Sequence, residues 1–221
     1  MNVVQRDGED PKTHSLRSDG GPVDTVVWRA ASLLLSYPDQ RLYDRRPMLR
    51  TAVADLPDGV ARRRLDAFLD HLDRTPPMGL TVHFLDVCRG GRLLLLADHR
   101  EEEERRMARA RLADLYRAYD HDMDDEPPDS LPAMLEYAAL CADDWLLREH
   151  QVALERLHAA LDAKGSPYTV LVEAVRATLM RPPNTARRVH TARGVRGCVA
   201  RAGRAHRDLA LATFLQDGER S

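Results

Sequence analysis

Residues 120–129 concentrate carboxylates, with acids at Asp120, Asp122, Asp124, Asp125, Glu126 and Asp129. Acids this dense can hold a divalent cation or attract a basic partner. Asp120, Asp122 and Asp124 fall at the first, third and fifth positions of a calcium loop. The sixth position of such a loop calls for glycine and the twelfth for glutamate. Here those positions are Asp125 and Leu131, so calcium is not expected. Glu155-x-x-His158 has the spacing used in di-iron helical bundles, which need a second copy and two further glutamates. Only one copy is present, and no H-x-x-x-H occurs. No metal site and no cofactor are expected.

Nucleophilic chemistry has equally little to work with. The chain has no G-x-S-x-G and no glycine-rich phosphate loop. Cys88, Cys141 and Cys198 lie on or near apolar helical patterns and read as buried thiols. No catalytic residue is expected.

The acidic run leads into the most informative stretch, Glu126-Pro127-Pro128-Asp129-Ser130-Leu131-Pro132-Ala133-Met134-Leu135-Glu136-Tyr137. Pro127 and Pro128 restrict the backbone, so less entropy is lost if a partner binds. Asp129 or Ser130 can cap a helix, and Pro132 suits its first turn. Leu131, Met134, Leu135, Ala138, Ala139, Ala142, Trp145 and Leu146 then keep helical spacing for four turns. A stiff, acidic approach to an oily helix can hold a peptide. A well-capped connector is the other reading, and composition leaves both open.

The elements around this stretch are helical throughout. Asp24 is placed to cap a helix through Val26, Trp28, Ala31 and Leu35, ended by Pro38. A second helix is expected from near Arg46 to Ala54, with Pro47 in its first turn. Pro57-Asp58-Gly59 marks a turn. Leu65, Phe68, Leu69 and Leu72 follow at i, i+3, i+4, i+7. Thr75-Pro76-Pro77 breaks the chain, and Gly90-Gly91 predicts a kink or break within the apolar runs of 80–96. Glu101–Glu104 reads as an exposed first helical turn, its acids at the positive end of the dipole. Ala108, Leu112, Leu115, Tyr116 and Tyr119 continue that helix. Leu154, Leu157 and Leu161 define another, ended by Lys164-Gly165. Tyr168, Leu171, Val172, Val175 and Leu179 define the last.

No segment sustains strand alternation. The expected fold is all-α, a single-domain helical bundle over 24–181. Residues 1–23 read as a disordered N-terminal segment, and 182–221 as a basic, flexible C-terminal tail. That tail carries Arg187, Arg188, Arg193, Arg196, Arg201, Arg204 and Arg207, with no acid between Thr185 and Arg207 and no interleaved aromatic. Lys and Arg number 33 against 35 Asp and Glu, so no overall field points to nucleic acid or membrane. Three distant cysteines, no apolar leader and no run of about 20 apolar residues predict a cytoplasmic protein without membrane insertion.

Glu126-x-Pro128-Asp129-x-Leu131-Pro132-x-Met134-Leu135-Glu136-Tyr137 resembles the signature of the respiratory nitrate reductase assembly chaperones, the delta subunits, within the redox-enzyme maturation chaperones. Leu33-Leu34-Leu35-Ser36-Tyr37-Pro38-Asp39 is similar to that family's opening helix, which ends in Tyr-Pro. Met107-Ala108 through Tyr116 is similar to its helix before the signature. The likeness covers about 26–180. The chain departs from the pattern at Ser130, at Thr81–Asp86 and at Glu101–Glu104.

The resemblance implies a non-enzymatic, all-α cytoplasmic chaperone. It would bind the N-terminal segment of the apo catalytic subunit of nitrate reductase and support molybdenum cofactor insertion before membrane docking. Glu126, Pro128, Asp129, Leu131, Pro132, Met134, Glu136 and Tyr137 are the partner-peptide-binding residues it implies. A monomer or homodimer is expected, with no nucleic-acid partner. A different molybdenum oxidoreductase as client, or a helical ligand-binding regulator, are the alternatives.

Overall fold

A few side chains decide where each helix starts and stops. The computed structural model describes residues 21–88, 93–96, 101–118 and 126–180. They form α1 (Gly21–Leu34), α2 (Gln40–Ala54), α3 (Val60–Arg74), α4 (Pro77–Cys88), α5 (Glu102–Arg117), α6 (Leu131–Cys141), α7 (Trp145–Glu149), α8 (Gln151–Asp162) and α9 (Thr169–Leu179). The fold is all-α. One isolated antiparallel bridge, Leu94 with Ser130, occurs among the described residues.

Three boundaries differ from expectation. Helix α1 begins at Gly21, so Asp24 sits in its first turn instead of capping it. Residues 21–23, expected to be disordered, therefore belong to a helix. Helix α2 begins at Gln40, well before Arg46. The Asp39 carboxylate accepts from the Leu42 N–H at 3.1 Å and starts the helix there. Pro47 lies inside α2, where its ring faces solvent.

The expected four-turn helix from Leu131 to Leu146 is two helices. Ala142 adopts the left-handed conformation, φ 50°, and ends α6. The Asp143 N–H reaches the Ala138 carbonyl at 3.1 Å, and the Ala142 N–H reaches that of Ala139 at 3.3 Å. That is the hydrogen-bond pattern usually closed by glycine. Trp145, expected on the buried face, is about half exposed.

Helix α8 ends the same way as α6, with the expected glycine. Gly165 has φ 62°, and the Ser166 N–H bonds the Leu161 carbonyl at 3.0 Å. Glu101–Glu104 forms the exposed start of α5, as expected. The kink expected at Gly90-Gly91, Tyr119 and the tail lie outside the described residues.

Helix α1 is apolar on most of its circumference, so it runs between α6 on one side and α9 on the other. Trp28 Nε1 donates to Thr178 Oγ1 at 2.9 Å, and Ser32 Oγ donates to the Pro132 carbonyl at 3.0 Å. These bonds satisfy the polar groups that burial strands at the two contacts. Leu65, Phe68, Leu69 and Leu72 of α3 are all buried against α9 and its neighbours. Burying each contributes about 1.5–3 kcal/mol. One continuous apolar cluster joins α1 to α9.

Candidate functional site

The loop before α6 starts in solvent and turns inward. Glu126 and Pro127 are exposed, Pro128 is half-buried, and Asp129 and Ser130 are buried. The Ser130 N–H closes a turn on the Pro127 carbonyl at 2.9 Å. The backbone of 129–131 then pairs with 93–95. The Leu95 N–H bonds the Asp129 carbonyl at 2.9 Å, and the Leu131 N–H bonds that of Leu93 at 2.8 Å. Ser130 caps α6, its Oγ accepting from the Ala133 N–H at 3.3 Å. Of the two cap candidates in the sequence, Ser130 does the capping.

Helix α5 braces the same loop. Tyr116 Oη donates to the Pro128 carbonyl at 2.8 Å. Burial, reinforced by the nearby Asp129 charge, pushes the Tyr116 hydroxyl well above its ordinary range, so it stays a donor. Tyr116 also packs on Tyr137, ring centroids 5.2 Å apart. Arg109 Nε donates to Asp129 Oδ1 at 2.8 Å. Asp129 is 0% exposed, and among the described residues its Oδ2 has no hydrogen-bond partner. On the far side of α6, Glu136 pairs with Arg29 of α1.

The eight residues expected to meet a peptide are therefore divided. Asp129, Leu131, Pro132, Met134 and Tyr137 are buried in the chain's own interior. They hold the loop and α6 in place and do not form a contact surface in this conformation. Glu136 and Pro128 are half-buried, and Glu126 is exposed. The reason lies in α6 itself. Leu131 to Leu135 contains no charged residue, so the helix has no wet face until Glu136.

An open apolar surface lies on α4. Met78, Val82 and Leu85 are 74%, 58% and 52% exposed. Their i, i+4, i+7 spacing puts them on one face. Leu80 and Val87 are buried on the opposite face. Phe84 holds the helix against Tyr37 (5.7 Å, edge-on) and Tyr168 (6.2 Å). Tyr37, from the Tyr-Pro-Asp segment, is itself 55% exposed. An apolar helix normally has both faces covered; here one is bare. The signal was present in the sequence as apolar residues on both sides of the 77–88 pattern.

Glu126 is near enough to Cys88, the last residue of α4, for its charge to act on the thiol. Burial first, and the Glu126 carboxylate second, push the Cys88 thiol up to about 11. Asp86 pairs with Lys164 at 3.4 Å on the flank. On the same side of the helix, His83 stacks on His71, with His83 Nδ1 3.3 Å from His71 Nε2. A separate cavity of about 600 Å³ opens between the ends of α1, α3 and α9. Arg64 and Glu173 on its wall neutralise each other at 2.7 Å. Among the described residues, no group of three or more His, Cys, Asp or Glu could hold a metal ion. The calcium-like run 120–125 lies outside them. None of the described helices is long and apolar enough to cross a membrane.

The chain is similar to a nitrate reductase-like protein. Two curated relatives, both the "Nitrate reductase-like protein NarX" of Mycobacterium tuberculosis, from strains CDC 1551 / Oshkosh and ATCC 25618 / H37Rv, are 32% identical to it over 158 residues. The match covers 68% of this chain and 24% of each relative. The chain thus spans about a quarter of the length of the curated relatives it matches. No known family profile matches it. The relation to a nitrate reductase-like protein extends well beyond any one loop, since it takes in about two-thirds of the residues.

Proposed function

We propose that this chain is an assembly chaperone for a nitrate reductase. It binds the N-terminal segment of the apo catalytic subunit and holds that subunit open for molybdenum cofactor insertion. It makes and breaks no covalent bond itself. The observation that carries this reading is the 32% identity to a protein named nitrate reductase-like. The Tyr37-Pro38-Asp39 and Glu126–Tyr137 segments, with their resemblance to the nitrate reductase delta subunits, support it.

The physical support is a bare apolar stripe on α4, with the Glu126 carboxylate near the helix's last residue, Cys88. The leading segment of the client meets Glu126 and Pro128 and runs onto Met78, Val82 and Leu85. Such a surface suits a basic amphipathic peptide, apolar side chains in the stripe and a cation beside Glu126. The buried members of the signature act from inside, fixing the loop that presents Glu126.

A different molybdenum oxidoreductase as client is the second reading. One observation favours it: Thr81–Asp86, where the chain departs from the delta-subunit pattern, includes Val82 and Leu85 of the bare face. Co-expression of the tagged chain with the apo catalytic subunit of a nitrate reductase tests both. A stable complex, lost with Val82→Asp plus Leu85→Asp, is expected. A catalytic subunit that never co-purifies and matures equally well without this chain would remove the nitrate reductase reading.

A further inference from the structure

Helices α3 and α9 pack closely for most of their length and part at one end. Leu65, Phe68, Leu69 and Leu72 of α3 are buried there, as are Leu171, Val172 and Val175 of α9. Beyond them, Ala61 of α3 and Ala177 of α9 are too small to continue the contact, and the cavity of about 600 Å³ opens between them. Val27 of α1 and Leu56 of the turn before α3, both buried, also line it. We propose that this cavity binds a small amphipathic acid, with its apolar body on these residues and a single carboxylate on Arg176.

Size and charge carry the inference. The volume falls within the range of about 300–1,000 Å³ usual for small-molecule sites. Its charged wall residues are mostly spoken for. Glu173 takes Arg64 at 2.7 Å and His158 at 3.2 Å. Asp58 is paired with Arg63 at 3.0 Å. Arg62 donates to the Leu56 carbonyl at 2.9 Å and lies 3.7 Å from Asp66. Arg176 is left over: half-buried on the cavity wall, its side chain makes no hydrogen bond or ion pair among the described residues. A guanidinium beside an apolar wall suits a planar carboxylate, which it holds through two parallel hydrogen bonds. One spare positive charge balances a monoanion. A phosphate dianion would keep one charge uncompensated.

The cavity is preformed and separate from the face on α4. Its walls come from α1, α3 and α9, which share one continuous core, so little order is imposed when a ligand enters. Val60 and Met180, both exposed, give it an apolar rim. Helix α4 meets the opposite end of the α3–α9 pair. Phe68 packs on Tyr168 at 4.9 Å, and Tyr168 packs on Phe84 of α4. His71, which contacts His83 of α4, lies about 15 Å along α3 from Ala61. The inference therefore goes beyond the proposed function and does not rest on it.

Methyl-detected magnetic resonance of the intact chain, titrated with decanoate, tests this. Saturable shifts are expected at Val27, Leu56, Ala61 and Ala177, and none at Val82 and Leu85 of α4. Arg176→Gln removes one charge-assisted contact. It is expected to weaken decanoate about tenfold and to leave 1-decanol, the same chain without the charge, unchanged. Ala177→Phe fills the space and is expected to abolish the shifts from both. Should that variant fail to fold, Arg176→Gln decides alone, since no contact of the fold depends on that side chain. No saturable shift at the cavity methyls overturns the proposal. So do shifts confined to Val82 and Leu85, or decanoate binding that Arg176→Gln leaves unchanged. Decyl phosphate binding more tightly than decanoate would assign the cavity to a dianion and overturn the choice of a carboxylate. Failure here leaves the chaperone reading intact, because the client is assigned to α4.

Discussion

Arg109 and Asp129 should respond unequally to removal, and the asymmetry follows from their burial. Asp129 is fully buried, with Oδ1 on Arg109 Nε at 2.8 Å and Oδ2 unpartnered among the described residues. Arg109→Leu strands that carboxylate inside the protein. Removing one partner of a buried pair costs about 3–5 kcal/mol. The reverse deletion is gentler, because the Arg109 side chain is 34% exposed and can turn to water. Asp129→Asn keeps the shape and an acceptor for Nε. The loss is the charge assistance of one hydrogen bond, about 1 kcal/mol. The double variant Arg109→Leu plus Asp129→Asn removes the stranded charge and should be more stable than Arg109→Leu alone. Urea unfolding followed by far-ultraviolet circular dichroism measures all four proteins. With a slope of about 2 kcal/mol per molar, Arg109→Leu shifts the midpoint down by roughly 1.5–2.5 M and Asp129→Asn by roughly 0.5 M. If Asp129→Asn proved as damaging as Arg109→Leu, or the two losses simply added, Asp129 would not be a buried charge held by Arg109.

Other consequences are cheaper to check. Ala142 occupies a left-handed position that disfavours a Cβ, so Ala142→Gly is expected to raise stability by about 1 kcal/mol in the same urea assay. His71 is held below its ordinary pKa by burial, then by His83 and Arg74. The unfolded chain therefore binds more protons there, and stability falls as pH drops below about 6.5, the unfolded value. Melting temperatures between pH 8 and 5 should show this slope, and His71→Gln should flatten it. Cys88, with its thiol pushed up to about 11, should resist alkylation at neutral pH and react above about pH 10, as read by mass mapping of the labelled thiols.

The sequence disclosed the helices whose apolar residues line one face. Leu65, Phe68, Leu69 and Leu72 placed α3, and Gly165 placed the end of α8. Helix α2 was misplaced because Pro47 looked like a first-turn proline, while the true start lay at the Asp39 cap. The break after α6 carried no glycine signal, since an alanine takes the left-handed position. The pairing of 93–95 with 129–131 was hidden in a run of leucines without alternation. The candidate site was legible only in part. Glu126 and Pro128 remain accessible or nearly so, but charge-free Leu131–Leu135 marked a buried helix start. The exposed stripe of α4 depends on which neighbours cover it, and periodicity alone does not decide that.

Titration of the intact chain by calorimetry with a peptide spanning the N-terminal segment of a nitrate reductase catalytic subunit is the most direct test. Binding at micromolar affinity or better, about 8 kcal/mol, is expected. Val82→Asp plus Leu85→Asp should weaken it at least tenfold, and Glu126→Ala by less. No measurable binding to the peptide, or binding indifferent to all three substitutions, would contradict a docking face on α4.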